Sequence, residues 1–116
     1  MPQFMLLLHN APRDTSKASP ADMQAVVNEY SAWSQKLANA GKLKGGQKLA
    51  DEGGRMITAK GGKISVTDGP YTETKEVVGG FFMIEAKSYD DAVKLSSDCP
   101  HLKFGGRIEL RQIDVM

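Results

Sequence analysis

Two short segments, Phe4-Met5-Leu6-Leu7-Leu8 and Phe81-Phe82-Met83-Ile84, are apolar at every position. Each is too short for a helix, and the breakers Asn10 and Pro12 follow the first, so both read as strands. Neighbouring residues of a strand point to opposite faces of a sheet, so strands of this kind need apolar cover on both sides. Between them lies one strong helix signal. Ser19 can cap it, Pro20 fits the first helical position, and Asp22 suits the positive end of the dipole. Met23, Val26, Val27, Tyr30, Trp33 and Leu37 then recur at spacings of three and four, a single apolar stripe that ends at Gly41.

The remaining elements follow from turn chemistry. Leu43 to Asp51, with Gly45-Gly46, reads as an irregular strand. Gly61-Gly62 matches the two-residue turns that require positive φ. Counting outward from it pairs Ala59 with Ile64 and Ile57 with Val66 on one face of a hairpin, and Thr58 with Ser65 and Met56 with Thr67 on the other. Asp68-Gly69-Pro70 is a tight change of direction, and Thr72 could cap a single helical turn. Gly79-Gly80 opens the second apolar strand. Ser88, Asp90 and Asp91 start a short helix bearing Tyr89, Ala92, Val93 and Leu95, stopped by Pro100, and Arg107 to Asp114 is the last strand.

With the hairpin set aside, this order is a βαββαβ ferredoxin-like plan of the α+β class, its helices on one face of a mainly antiparallel sheet. Two helices cover one sheet face, and no residues remain for a third layer. A second copy of the sheet is the expected cover, giving a two-fold homodimer through the sheet faces.

Composition narrows the function classes. The 116 residues suit a single domain spanning 1–116, and 41% apolar with 25% charged residues is ordinary for a globular chain. Fifteen Lys and Arg against fourteen Asp and Glu leave a net charge of +1, which argues against a nucleic-acid partner. One cysteine and two histidines exclude a disulfide framework and a four-ligand Cys/His zinc cage, so no metal is expected. The five-residue run Phe4 to Leu8 falls short of a signal-peptide core or a membrane span, so no membrane partner and a cytoplasmic location are expected.

The segment Val66-Thr67-Asp68-Gly69-Pro70-Tyr71-Thr72-Glu73-Thr74-Lys75-Glu76-Val77-Val78-Gly79-Gly80-Phe81 resembles the signature of the YCII-related family in its DGPF branch. Met5 to Leu8 and Gly106 to Arg111 extend the resemblance over nearly the whole chain, with Tyr71 where the branch's name has phenylalanine. The resemblance implies a dimeric α/β barrel of ferredoxin-like protomers and a putative enzyme or ligand-binding protein with no cofactor. Some relatives carry a His on the first helix and an Asp near its C-terminal end as a proposed catalytic pair. Here no histidine lies between Ser19 and Gly41, and Asn39 occupies the acidic position, so that pair does not carry over. Association of related domains with sigma-factor genes implies an alternative, a non-catalytic regulatory or interaction module. Cofactor-free monooxygenase or isomerase chemistry is a third reading by fold analogy alone.

Asp68, Tyr71, Glu73 and Lys75 offer carboxylate, phenol and ammonium groups in one loop at a strand end, where binding sites tend to sit. Asp68 fits either a base or polar-ligand contact with Lys75 as its partner, or a turn cap accepting backbone N–H bonds. His9, at the end of the first strand, is the other catalytic candidate; histidine is the side chain that changes charge near neutral pH. It fits equally an exposed side chain with no task. The expected ligand is a small molecule between sheet and helix near His9 and Asp68, with Trp33, Tyr71 and Phe81 as walls. His101 reads as a residue at a helix exit, explained by the dipole's negative end. The pairs at Gly45-Gly46 and Gly61-Gly62 lack phosphate-loop spacing, and nothing near Cys99 marks its thiol as activated.

Overall fold

The computed structural model describes residues 1–10, 19–50, 54–68 and 77–115. In chain order the elements are β1 (Gln3–Asn10), α1 (Pro20–Asn39), β2 (Leu43–Lys48), β3 (Arg55–Lys60), β4 (Lys63–Asp68), β5 (Val77–Glu85), α2 (Tyr89–Ser96), α3 (Pro100–Lys103) and β6 (Arg107–Gln112). Strands β2-β5-β1-β6 form one antiparallel sheet in that spatial order, the ferredoxin-like arrangement. The two strands apolar at every position, β1 and β5, are its centre.

Local chemistry sets the helix ends. The Ser19 hydroxyl accepts a hydrogen bond from the Asp22 amide at 3.0 Å, and Pro20 follows it in the first turn. At the other end Gly41 has φ +72°, its amide donates to Ala38 and the Lys42 amide donates to Leu37. That is a Schellman closure, and it needs a residue that enters the left-handed region without strain. Ser88 caps α2 by accepting from the Asp91 amide, while Asp91 reaches back to the Lys87 amide.

Strand alternation places Phe4, Leu6 and Leu8 of β1 with Ile84 of β5 on the helix face, fully or almost fully buried. Trp33 and Leu37 of α1 close over them, the Trp33 ring meeting Phe82 edge-on at 5.0 Å. Each such side chain contributes about 1.5–3 kcal/mol when removed from water. The opposite face carries Met5 and Leu7 beside Met83 and Phe81, all half-buried, with Arg107, Glu109 and Arg111 of β6 along one side.

The hairpin pairs in the expected register, with Ala59 opposite Ile64 and Ile57 opposite Val66, and Gly61 and Gly62 both at positive φ. It forms a separate two-stranded sheet, and all twelve of its residues are exposed. Pro100 does not stop the second helical segment, as expected, but opens α3. Proline suits a first helical position because its missing N–H would have had no partner there. Among the described residues no helix is long and apolar enough to cross a membrane.

Asp98, in the turn between α2 and α3, anchors α1. Its two carboxylate oxygens accept from Trp33 Nε1 and Lys36 Nζ, each at 2.8 Å. The Lys36 ammonium first, and the Trp33 N–H second, hold this carboxyl below the usual Asp range. A depressed pKa stabilises the fold above the unfolded-state value and loses that stabilisation as pH falls through the folded one. Asp98→Ala should therefore cost about 1 kcal/mol at pH 7. Urea denaturation curves should show the gap between the variant and the parent closing as pH falls below about 4.

Candidate functional site

A cavity of about 380 Å³ lies between the first half of α1 and the β2–β5–β1 part of the sheet. Its origin is compositional. On the helix face, Leu6 stands opposite Phe82, but one step further along, Leu8 stands opposite Gly80, and Gly46 lies beside Phe82. A Cβ on Gly46 would come within 2.8 Å of the Phe82 ring, and one on Gly80 within 2.9 Å of the Gln47 carbonyl. The floor is bare backbone, and α1 spans it with Val26, Val27, Tyr30, Ser31 and Ser34. The same gap explains why Met23 and Val27 stay about half exposed although they continue the apolar stripe.

His101 closes one wall and is 4% exposed. Its Nε2 lies 2.7 Å from the His9 carbonyl oxygen and its Nδ1 2.9 Å from the Tyr30 hydroxyl. A carbonyl oxygen only accepts, so Nε2 carries the hydrogen. In the neutral ring Nδ1 is then an acceptor, and the Tyr30 O–H donates to it. Buried rings are held this way when both nitrogens are satisfied.

Asn10 also lines the cavity, and its Oδ1 is buried with no hydrogen-bond partner. It packs where β5 carries one extra residue, Gly79, between the positions facing Leu8 and His9. A Cβ there would lie 2.8 Å from that oxygen. Lys48 and His101 line the cavity, whereas no Asp or Glu does so among the described residues. The lining therefore suits a neutral or anionic guest.

The residues expected from sequence are distributed differently. The His9 backbone serves the cavity side through its carbonyl. Its ring lies on the other sheet face, with Nε2 at 2.9 Å from Glu109. Trp33 is a core residue rather than a cavity wall, and Phe81 lies on the opposite sheet face while Phe82 takes the wall position. Asp68 does not line the cavity; it ends β4, exposed, with an oxygen 3.2 Å from Arg55 Nε across the hairpin. Tyr71, Glu73 and Lys75, and the turn proposed at Thr72, lie outside the described residues. Cys99 is buried, and desolvation pushes its thiol pKa up, as expected of an inert side chain.

Sequence reasoning passed over His101 and Tyr30. The one signal that could have found the histidine is Pro100 before it, read as a helix start. That places His101 in a first turn facing back toward the sheet.

A family model described as YCII-related domain matches residues 3–116. An uncharacterized protein of Rhizobium meliloti (strain 1021) is 31% identical over 96 residues, which cover 82% of this chain and 77% of that relative. Among solved structures, 5-chloro-2-hydroxyhydroquinone dehydrochlorinase from Burkholderia phenoliruptrix AC1100, in complex with 2,5-dihydroxybenzoquinone, is similar over 97% of this chain and 95% of that one. Its TM-score is 0.47 at 19% identity.

The His101 ring leaves no room at Gly106, where a Cβ would stand 2.2 Å from Nε2. Because the ring is tied at both nitrogens, Gly106→Ala should cost about 1–3 kcal/mol, read as a lower urea midpoint with unchanged slope. Gly105→Asn, at φ +84° with open space around it, should cost much less.

Proposed function

The chain belongs to the YCII-related domain family, and from that premise we propose that it binds a small organic molecule in the cavity beneath α1. The observation that carries this reading is a space of about 380 Å³ floored by glycine backbone, with a buried, fully hydrogen-bonded histidine in its wall. Ligand pockets of this kind combine apolar walls with a few placed polar groups. Here Leu8, Val26, Val27 and Phe82 supply the walls, and Tyr30, His101 and Asn10 the polar groups. The unpaired Asn10 oxygen adds a cost of about 1–3 kcal/mol that a donor on a guest would relieve.

We assign the chain to the DGPF branch on the Asp68 to Phe81 segment, and we take the working unit to be a homodimer in the manner of a dimeric α/β barrel. The half-buried Met5, Leu7, Phe81 and Met83 on the open sheet face support this. So does the hairpin, whose Ile57, Ile64 and Val66 are 57–68% exposed in the single chain. A lone two-stranded hairpin is marginal in water and gains from a surface to lie on. Asp68 then belongs to a paired, charged hairpin end, and a ligand role for it depends on a partner's surface. The location proposed remains the cytoplasm.

A thermal-shift screen of small neutral and anionic metabolites tests the cavity. A true guest at a hundred times its dissociation constant should add about 2.7 kcal/mol of stability. Ser31→Trp, an exposed position on the cavity side of α1, should abolish the gain while leaving the free protein within about 0.5 kcal/mol. If no molecule stabilises the parent in a Ser31-dependent way, the regulatory or interaction module becomes the better reading.

Light scattering after size exclusion tests assembly. Twice the 12.6 kDa chain mass is expected, and Leu7→Lys or Met83→Lys should yield monomer or unfolded chain. A monodisperse single-chain mass at micromolar concentration would end the sheet-to-sheet argument.

A further inference from the structure

We propose that Tyr30 and His101 form a proton relay that ionises a weakly acidic hydroxyl group on the molecule held in the cavity, an inference that rests on the cavity reading above. The direction of the hydrogen bonds carries it. His101 Nε2–H is committed to the His9 carbonyl at 2.7 Å, so Nδ1 is the ring's open basic site, and the Tyr30 hydrogen is directed at it across 2.9 Å. Toward the cavity the Tyr30 oxygen therefore presents lone pairs, and the group it is built to meet is a donor. Asn10, with its unpaired Oδ1, adds a second acceptor to the same lining. A carbonyl or ether guest would find neither group suited to it, whereas a hydroxyl guest would.

The step balances within the site. The guest's O–H bond breaks, and its proton passes to the Tyr30 oxygen while the Tyr30 proton passes to His101 Nδ1. The guest keeps the electron pair as an oxyanion, hydrogen-bonded by Tyr30. The ring becomes an imidazolium with both N–H groups satisfied, one on Tyr30 and the other on the His9 carbonyl. The two oxygens the ring faces, and the carboxylate-free lining, stabilise the pair of charges without further movement. Gly106 makes this possible by leaving the ring room to sit flush at Nε2. The titratable groups lining the cavity among the described residues are Tyr30 of α1, Lys48 of β2 and His101 of α3. Lys48 is the one other source of positive charge and has to be controlled for.

The probe is 4-nitrophenol, whose phenolate is coloured, titrated by absorbance in the presence of excess homodimeric or monomeric native protein. Bound to the parent, it should ionise at lower pH than in buffer, with about tenfold more phenolate at a pH near its free midpoint. Tyr30→Phe keeps the ring and removes the oxygen, and His101→Gln keeps a polar side chain without a basic nitrogen. Both should bind the probe and leave its titration as in buffer. Lys48→Met should weaken binding while preserving the displaced titration. Ser31→Trp should abolish binding altogether. An undisplaced titration in the parent overturns the relay, as does a displacement that survives Tyr30→Phe or disappears in Lys48→Met. Failure of the parent to bind the probe overturns the hydroxyl class, while the metabolite screen still decides the cavity. Binding that ignores Ser31→Trp puts the probe elsewhere and defeats both readings together.

Discussion

The His101 imidazole is tied at Nε2 to the backbone of β1 and at Nδ1 to a side chain of α1, while the residue itself sits on α3. Three elements that meet at one end of the sheet are thus fastened through one ring that is 4% exposed. The fastening matters because this end has little apolar packing to hold it. At the other end Phe4, Leu6, Ile84, Trp33 and Leu37 fill the space between sheet and helix, and Asp98 clamps the helix to the turn before α3. Remove the His101 bonds, and the first half of α1 would span a glycine floor with only Val26 and Val27 to grip it.

That division of labour along one helix is what makes a cavity compatible with a stable fold. Close packing is the rule in protein interiors, and a void costs the contacts its walls forgo. Here the void is confined to one end, under a helix whose other end is firmly packed, and its walls carry polar groups with directed hydrogen bonds. The substitution pattern on β2 and β5 produces it directly: Phe82 closes the core, and Gly46 and Gly80 open the cavity immediately beside it. The opposite face of the same sheet has a different character, a half-buried strip of Met5, Leu7, Phe81 and Met83 bordered by the charged side chains of β6. One strand pair therefore serves a core, a cavity and an apolar outer face, which is why both strands are apolar at every position.

Most of the architecture was legible because its signals are local. The Ser19–Pro20 start of α1, the Gly41 stop, the Gly61-Gly62 register and the Ser88 cap each depend on a few neighbouring residues. The site was legible only in outline. A pocket between sheet and helix near the end of β1 was expected and is present, but its residues were drawn from the wrong places. Phe81 and Phe82 are equally aromatic, and a one-residue choice of register decides which faces the helix. Trp33 and Tyr30 share one stripe, and only the glycine pairing below decides which covers core and which covers cavity. His101 was set aside because Pro100 was read as a stop rather than a start.

Composition and periodicity by themselves determined the α+β plan, the antiparallel hairpin and the need for cover on both faces of the central strands, because hydrophobic period and turn chemistry act over a few residues. Only the tertiary structure decided where the chemistry lies. Tyr30 and His101 are 71 residues apart in sequence, and His9 and His101 are separated by 92. Nothing in the local pattern of either segment marks one as the partner of another. Their meeting depends on the β2-β5-β1-β6 order, on the extra residue at Gly79 and on the bare backbone at Gly106, long-range constraints that exist only once the sheet has closed.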